Sequence, residues 1–170
     1  FGTYTVNKGF FNFNLQNLVS KRFELMPGGT VNWNGDPYDA RLDVTAIYTT
    51  KADPTPFLGE VGGSSNTLTE VYLKVSGALS DPEIAFDIKT PRANSTTQAM
   101  LSNRIAEEEA RNQQVFSLLA FNTFTPQSNI FSGSGQGINE WDLLANQAAA
   151  FVNRFTGDYQ VTLDYSEAPT

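Results

Sequence analysis

The sequence predicts a mainly β protein, an antiparallel amphipathic sheet with two α-helices in the C-terminal half. Three observations predict it. Apolar and polar residues alternate with period two through at least six segments of the first half. Turn-forming residues stand between those segments. Beyond about residue 99 the apolar spacing changes to helical steps of three and four.

The strands follow in order. Phe11, Phe13 and Leu15 alternate with Asn12, Asn14 and Gln16, and Phe23 and Leu25 with Arg22 and Glu24. Val31 and Trp33 alternate with Asn32 and Asn34. Leu42, Val44, Ala46 and Tyr48 alternate with Arg41, Asp43, Thr45 and Ile47 in a strand predicted over Tyr38 to Thr50, about 40 Å long at ~3.3 Å per residue. Val71, Leu73 and Val75 alternate with Tyr72, Lys74 and Ser76, and Ile84, Phe86 and Ile88 with Ala85, Asp87 and Lys89. Pro27-Gly28-Gly29, Asn34-Gly35-Asp36-Pro37 and Ser80-Asp81-Pro82 read as the turns between strands, which places successive strands side by side and antiparallel. A Gly/Ser-rich stretch from Asp53 to Asn66 reads as a longer loop.

Pro91 to Gln98 reads as a polar link, and Ala99 to about Phe121 as a helix. Thr125 to Gly137 is rich in Ser, Gly and Gln and reads as a loop. A second helix is predicted over Asn139 to Phe155, where Trp141, Leu144, Ala148, Phe151 or Val152, and Phe155 form one apolar stripe that Gly157 ends. Its polar side carries Glu140 and Asp142 with only Arg154, which favours packing on the sheet over lying on a membrane surface. Asp158 to Tyr165 returns to strand, with Tyr159, Val161, Leu163 and Tyr165 on one face. The chain begins on Phe1 and reads as a piece of a longer protein.

Composition excludes several functions. The 170 residues are 40% hydrophobic, enough for one domain with a core, and they contain no His and no Cys. Ser-His-Asp and Cys-His nucleophiles are therefore absent, as are structural zinc sites and disulfides. The net charge of −7 makes nucleic acid a poor partner. No apolar stretch approaches the ~18 residues of a membrane-crossing helix.

The remaining motifs read as ordinary structure. Asp36, Asp39 and Asp43 form the closest carboxylate group, but Asp36 sits in turn sequence and the other two on a polar strand phase. Asp81-Pro82-Glu83 with Asp87 lacks calcium-loop spacing, so no metal site is predicted. Gly133, Gly135 and Gly137 follow no strand and make no dinucleotide fingerprint, so no cofactor is predicted. Glu107 to Glu109 mark a solvated helix start. The apolar strand faces fit either a closed sandwich core or a curved sheet with an open groove, because both bury one face.

Several segments together resemble a known family. They are Tyr4-Thr5-Val6-Asn7-Lys8-Gly9-Phe10-Phe11-Asn12-Phe13, Leu18-Val19-Ser20-Lys21-Arg22-Phe23, and Pro27-Gly28-Gly29-Thr30-Val31-Asn32-Trp33-Asn34-Gly35-Asp36-Pro37 running into Ala40-Arg41-Leu42-Asp43-Val44-Thr45-Ala46. Gly77-Ala78-Leu79-Ser80-Asp81-Pro82-Glu83-Ile84-Ala85-Phe86-Asp87-Ile88 and Asn112-Gln113-Gln114-Val115-Phe116-Ser117-Leu118-Leu119 complete the set. In this order, from about Phe1 to Phe155, the chain resembles the C-terminal domain of the TamB family, translocation and assembly module proteins of diderm bacteria, in a Bacteroidetes-type form.

The resemblance implies a curved sheet folded into a taco-like trough with an apolar interior, in a periplasmic protein anchored in the inner membrane. It implies phospholipid acyl chains as cargo and a BamA-type outer-membrane barrel, TamA or a relative, as partner. It implies no catalysis. The implied acyl-chain contacts are Phe11, Phe13, Leu15, Phe23, Leu25, Val31, Trp33, Leu42, Val44, Ala46, Tyr48, Val71, Leu73, Val75, Ile84, Phe86 and Ile88, with the helix stripe of Trp141, Leu144, Ala148, Phe151 and Phe155 as a candidate cover for that face.

Overall fold

A computed structural model describes residues 2–15, 19–36, 39–59 and 65–126. The predicted helix at Asn139 to Phe155 and the predicted strand at Asp158 to Tyr165 lie outside them. In chain order the elements are β1 (Gly2–Thr5), β2 (Phe10–Leu15), β3 (Val19–Leu25), β4 (Thr30–Trp33), β5 (Arg41–Ala52), α1 (Thr55–Leu58), β6 (Thr67–Ala78), β7 (Asp81–Lys89), α2 (Ser95–Arg104) and α3 (Glu108–Phe121). The fold is mainly β, as the alternation predicts: among the described residues seven strands form one open antiparallel sheet.

The seven strands lie along five lines. β1 pairs with β4 and β2 with β3, while β3 and β4 share one edge of β5 and β6 takes the other along its whole length. β7 then pairs with β6. The five lines follow one another in chain order, although β1 pairs with β4 and β3 with β5 across intervening strands.

Pro27-Gly28-Gly29 does not form the hairpin turn its composition predicts. Leu25 faces Ala46 and Thr30 faces Asp43, so five steps along one line match three along β5. The two extra residues form a bulge inside a continuous line. Its backbone stays in the ladder: the Met26 N–H donates to the Thr45 carbonyl at 2.8 Å, the Gly28 N–H to Val6 at 2.8 Å, and the Val6 N–H to Gly29 at 2.7 Å. Gly28 takes φ 95°, which favours glycine, and a Cβ on Gly29 would stand 3.2 Å from the Asp43 carbonyl oxygen. The Ser80-Asp81-Pro82 signal is displaced as well. Ala78 faces Asp81, so Leu79 and Ser80 make the turn, and Pro82 lies inside the edge strand β7, where a missing donor is tolerated.

The stretch read as a loop from Asp53 contains α1. The Asp53 carboxylate accepts from the Thr55 N–H at 2.9 Å and its hydroxyl at 2.6 Å, a local cap that sets the turn. The helix predicted from Ala99 starts earlier and is two helices. Asn94 caps α2, its Oδ1 accepting from the Thr97 N–H at 2.8 Å, so half of the supposed link is helical. Glu107, in extended conformation, precedes α3, and Glu108 and Glu109 occupy its first turn, where their charge favours the helix N-terminus.

The helices pack on the apolar face of the sheet. Seven consecutive residues of α3, Gln113 to Leu119, are buried, so this helix is enclosed on all sides. It lies against both β7 and β3, with β5 and β6 between them in the sheet. The sheet thus curves around the helix.

Candidate functional site

Among the described residues, the extended apolar feature is the inner face of the curved sheet. Residues directly opposite in an antiparallel pair share a face, so the register gives its rows. One row runs Leu25, Ala46, Leu73, Phe86. Tyr48, Val71 and Ile88 form the next, and Phe11 faces Phe23 on the flanking pair. Phe23 meets Phe13 edge-on at 5.9 Å and the Tyr48 ring at 5.8 Å, which joins the pair to the rows. Leu15 faces Val19 in the register.

These rows are covered. Phe13, Phe23, Ala46, Val71, Leu73, Phe86 and Ile88 are buried in one cluster with Leu101, Ile105, Val115, Leu118 and Leu119 from the helices. Phe11, Leu25, Tyr48, Val75 and Ile84 pack at its margin, half-buried. The sequence did not single out Phe57, Leu58 and Phe124, which belong to the same cluster; Phe57 stacks on Phe124 at 6.3 Å. Phe57 and Leu58 are an apolar pair inside a polar loop, a signal without periodicity.

Beyond the helices the same face continues. Val44, Val75 and Ile84 form one row, and Tyr4, Val31, Leu42, Gly77 and Pro82 the next. Trp33 lies opposite Gly2 at the end. Here Val31, Leu42, Val44, Val75 and Ile84 are half-buried. Trp33 is 37% exposed and Tyr4, which the alternation did not flag, 52%. The face therefore has a covered half under α2 and α3 and an uncovered half on β1, β4, the first residues of β5, the last of β6 and the first of β7.

The opposite face is mostly polar. Glu70 accepts from the Tyr72 hydroxyl at 2.8 Å, and Lys89 Nζ lies 4.6 Å from the Tyr72 ring centre. That hydrogen bond, then burial, then the charges of Glu70 and Asp87 hold the Tyr72 pKa above its ordinary value. Phe10, 55% exposed, lies under the Arg22 guanidinium at 3.6 Å.

Asp36, Asp39 and Asp43 remain at the β4–β5 connection and on β5, and all three are exposed. Among the described residues no group of three or more acidic side chains is placed to hold a metal ion. None of the described helices is long and apolar enough to cross a membrane. The stripe of Trp141, Leu144, Ala148, Phe151 and Phe155 lies outside the described residues.

An open curved sheet with an apolar inner face and a mostly polar back is suited to holding apolar chains. No curated protein and no solved structure matches the chain. The sequence model of the TamB C-terminal domain matches residues 1–168. The chain belongs to the TamB family of translocation and assembly module proteins, through that family's C-terminal domain.

Proposed function

We propose that this domain gives phospholipid acyl chains an apolar trough between the inner and outer membranes, in the periplasm, with a BamA-type outer-membrane barrel, TamA or a relative, as partner. The observation that carries the reading is the uncovered half of the inner face. Val31, Trp33, Leu42 and Val44 continue the core rows beyond the helix-covered cluster, half-buried or exposed, and Val75 and Ile84 stand at its margin. An acyl chain laid there leaves water at about 0.8 kcal/mol per buried CH₂. No charged side chain lies in those rows, so an acyl chain finds similar environments from row to row and no deep well at any one.

The test is the phospholipid that co-purifies with the full chain, measured by mass spectrometry. Val44→Glu places a charge in the middle of the uncovered rows and is expected to remove most of it. The same amount of lipid on the Glu variant as on the parent would count against the trough.

A second reading is assembly work by strand pairing on the outer-membrane barrel, without lipid. The outer edge of β1 and β2 favours it. Among the described residues this edge has no partner strand, and Gly2–Leu15 contains no proline and one Lys. The other edge, β7, carries Pro82 and charges at Asp81, Glu83, Asp87 and Lys89, features that discourage pairing. Photocrosslinkers at Thr3 and Asn12 are expected to reach a barrel strand in cells if this reading holds, and their silence would remove it.

A further inference from the structure

The helices that cover half of the inner face form one unit, tied to α1 by a hydrogen bond from the Arg104 guanidinium to the Phe57 carbonyl at 2.7 Å. Two buried polar side chains of α3, Gln114 and Ser117, find partners within the unit, while the Arg111 Nε is buried without one among the described residues. Gln114, fully buried, donates to the Thr125 carbonyl at 2.9 Å and accepts from the Thr125 N–H at 3.0 Å. The Ser117 hydroxyl donates to the Thr123 carbonyl at 2.7 Å. Arg111 donates to the Ile105 carbonyl at 3.2 Å in the connection to α2.

Toward the sheet the contact is of another kind. Val115, Leu118, Leu119, Leu101 and Ile105 meet the apolar rows. At the exposed margin the hydroxyls of Tyr48 and Thr50 donate to Asn122 Oδ1, at 2.7 and 3.2 Å. An apolar contact of this sort is what acyl chains can replace, because hydrocarbon against Leu73 or Phe86 is equivalent to Leu118 against them. Lifting the unit keeps the Gln114 and Ser117 bonds and gives up the Arg104 bond to the Phe57 carbonyl. The covered rows also run into the uncovered rows through adjacent register positions, Leu73 to Val75 and Phe86 to Ile84.

We propose that α2 and α3 are a displaceable plug, latched to β5 through Asn122, that yields the covered half of the face when acyl chains fill the trough. The inference rests on the trough reading. It adds that the domain has a closed resting state and that cargo entering from the uncovered half competes with the plug for the same side chains.

The chain has no cysteine, so a disulfide between Thr50→Cys and Asn122→Cys would be the only one. The full chain is offered vesicles of phosphatidylethanolamine and phosphatidylglycerol containing a fluorescent acyl chain. The reduced form is expected to load lipid, and the oxidised form to load about tenfold less. Amide exchange over residues 113–119 should speed up about tenfold or more on loading, in the parent and the reduced form alone. Equal loading of oxidised and reduced forms, with residues 113–119 still protected, would sink the plug and leave the trough standing. No loading of the parent would sink both. Should the cysteine pair disturb folding, Asn122→Gly carries the test, since it keeps the left-handed conformation and removes the latch. It is expected to load faster than the parent, and an unchanged or slower rate overturns the proposal.

Discussion

Tyr48 on β5 donates its hydroxyl to Oδ1 of Asn122, the residue that ends α3, at 2.7 Å. Asn122 takes φ 55°, a left-handed conformation, and its N–H donates to the Leu118 carbonyl. One residue therefore both stops the helix and fastens it to the sheet. Asn is among the few residues that hold this conformation at low cost, and its side chain has an acceptor to offer.

Replacing Asn122 separates these two roles. Asn122→Gly keeps the backbone and loses the acceptor, and is expected to cost about 1 kcal/mol. Asn122→Ala loses the acceptor and strains the backbone too, for about 2 kcal/mol. Urea denaturation of both variants checks the order. Equal costs would mean that the left-handed turn contributes nothing.

The two halves of the inner face should respond differently to truncation. Phe23 is fully buried, so Phe23→Ala is expected to cost about 3–5 kcal/mol. Trp33, with more than a third of its surface exposed, should cost under about 1 kcal/mol as Trp33→Ala. A loss at Trp33 as large as that at Phe23 would mean that the uncovered half belongs to a closed core.

Gln114 is the most enclosed polar side chain of α3. Gln114→Leu keeps its volume but strands the buried N–H and carbonyl of Thr125, and is expected to cost about 2–3 kcal/mol. Thermal unfolding of the variant measures it. A neutral result would mean that Thr125 finds other partners.

Tyr72 gives the domain an alkaline limb. Its pKa is higher in the folded state than the ordinary value of 10.0, chiefly because its hydroxyl donates to the Glu70 carboxylate. The folded state thus holds the proton more tightly than the unfolded state. The stabilisation is complete below pH 10.0 and is lost as pH rises through the folded pKa. Tyr72→Phe should flatten that part of a stability–pH profile. An unchanged profile would assign the alkaline loss to another group.

Much of this architecture is legible in the sequence, and the illegible parts have physical reasons. The alternation at Leu42–Tyr48, Val71–Val75 and Ile84–Ile88 is a direct record of one buried face, and these strands appear where the alternation puts them. Pro27-Gly28-Gly29 was misleading because a bulge and a hairpin turn need the same glycines. What separates them is the pairing of Leu25 and Thr30 with β5, which no local pattern encodes. The break between α2 and α3 was present in Glu107 to Glu109, yet a helix that starts where another has just ended looks like one long helix. α1 has a single turn and no period to detect, although Phe57 and Leu58 carry core weight. Alternation identifies an apolar face without telling which part of it the chain covers. That depends on where α3 lies across β3 and β7, and it divides Phe86 from Ile84, neighbours on one strand.

The most direct test of the trough is to map acyl contacts. The full chain is loaded with a phospholipid whose acyl chain carries a photoreactive group, irradiated, digested and read by mass spectrometry. The account predicts adducts at Trp33, Leu42, Val44, Val75 and Ile84 and none at Phe10 or Ile47 on the opposite face. Adducts spread over both faces, or confined to Phe10 and Ile47, would contradict it.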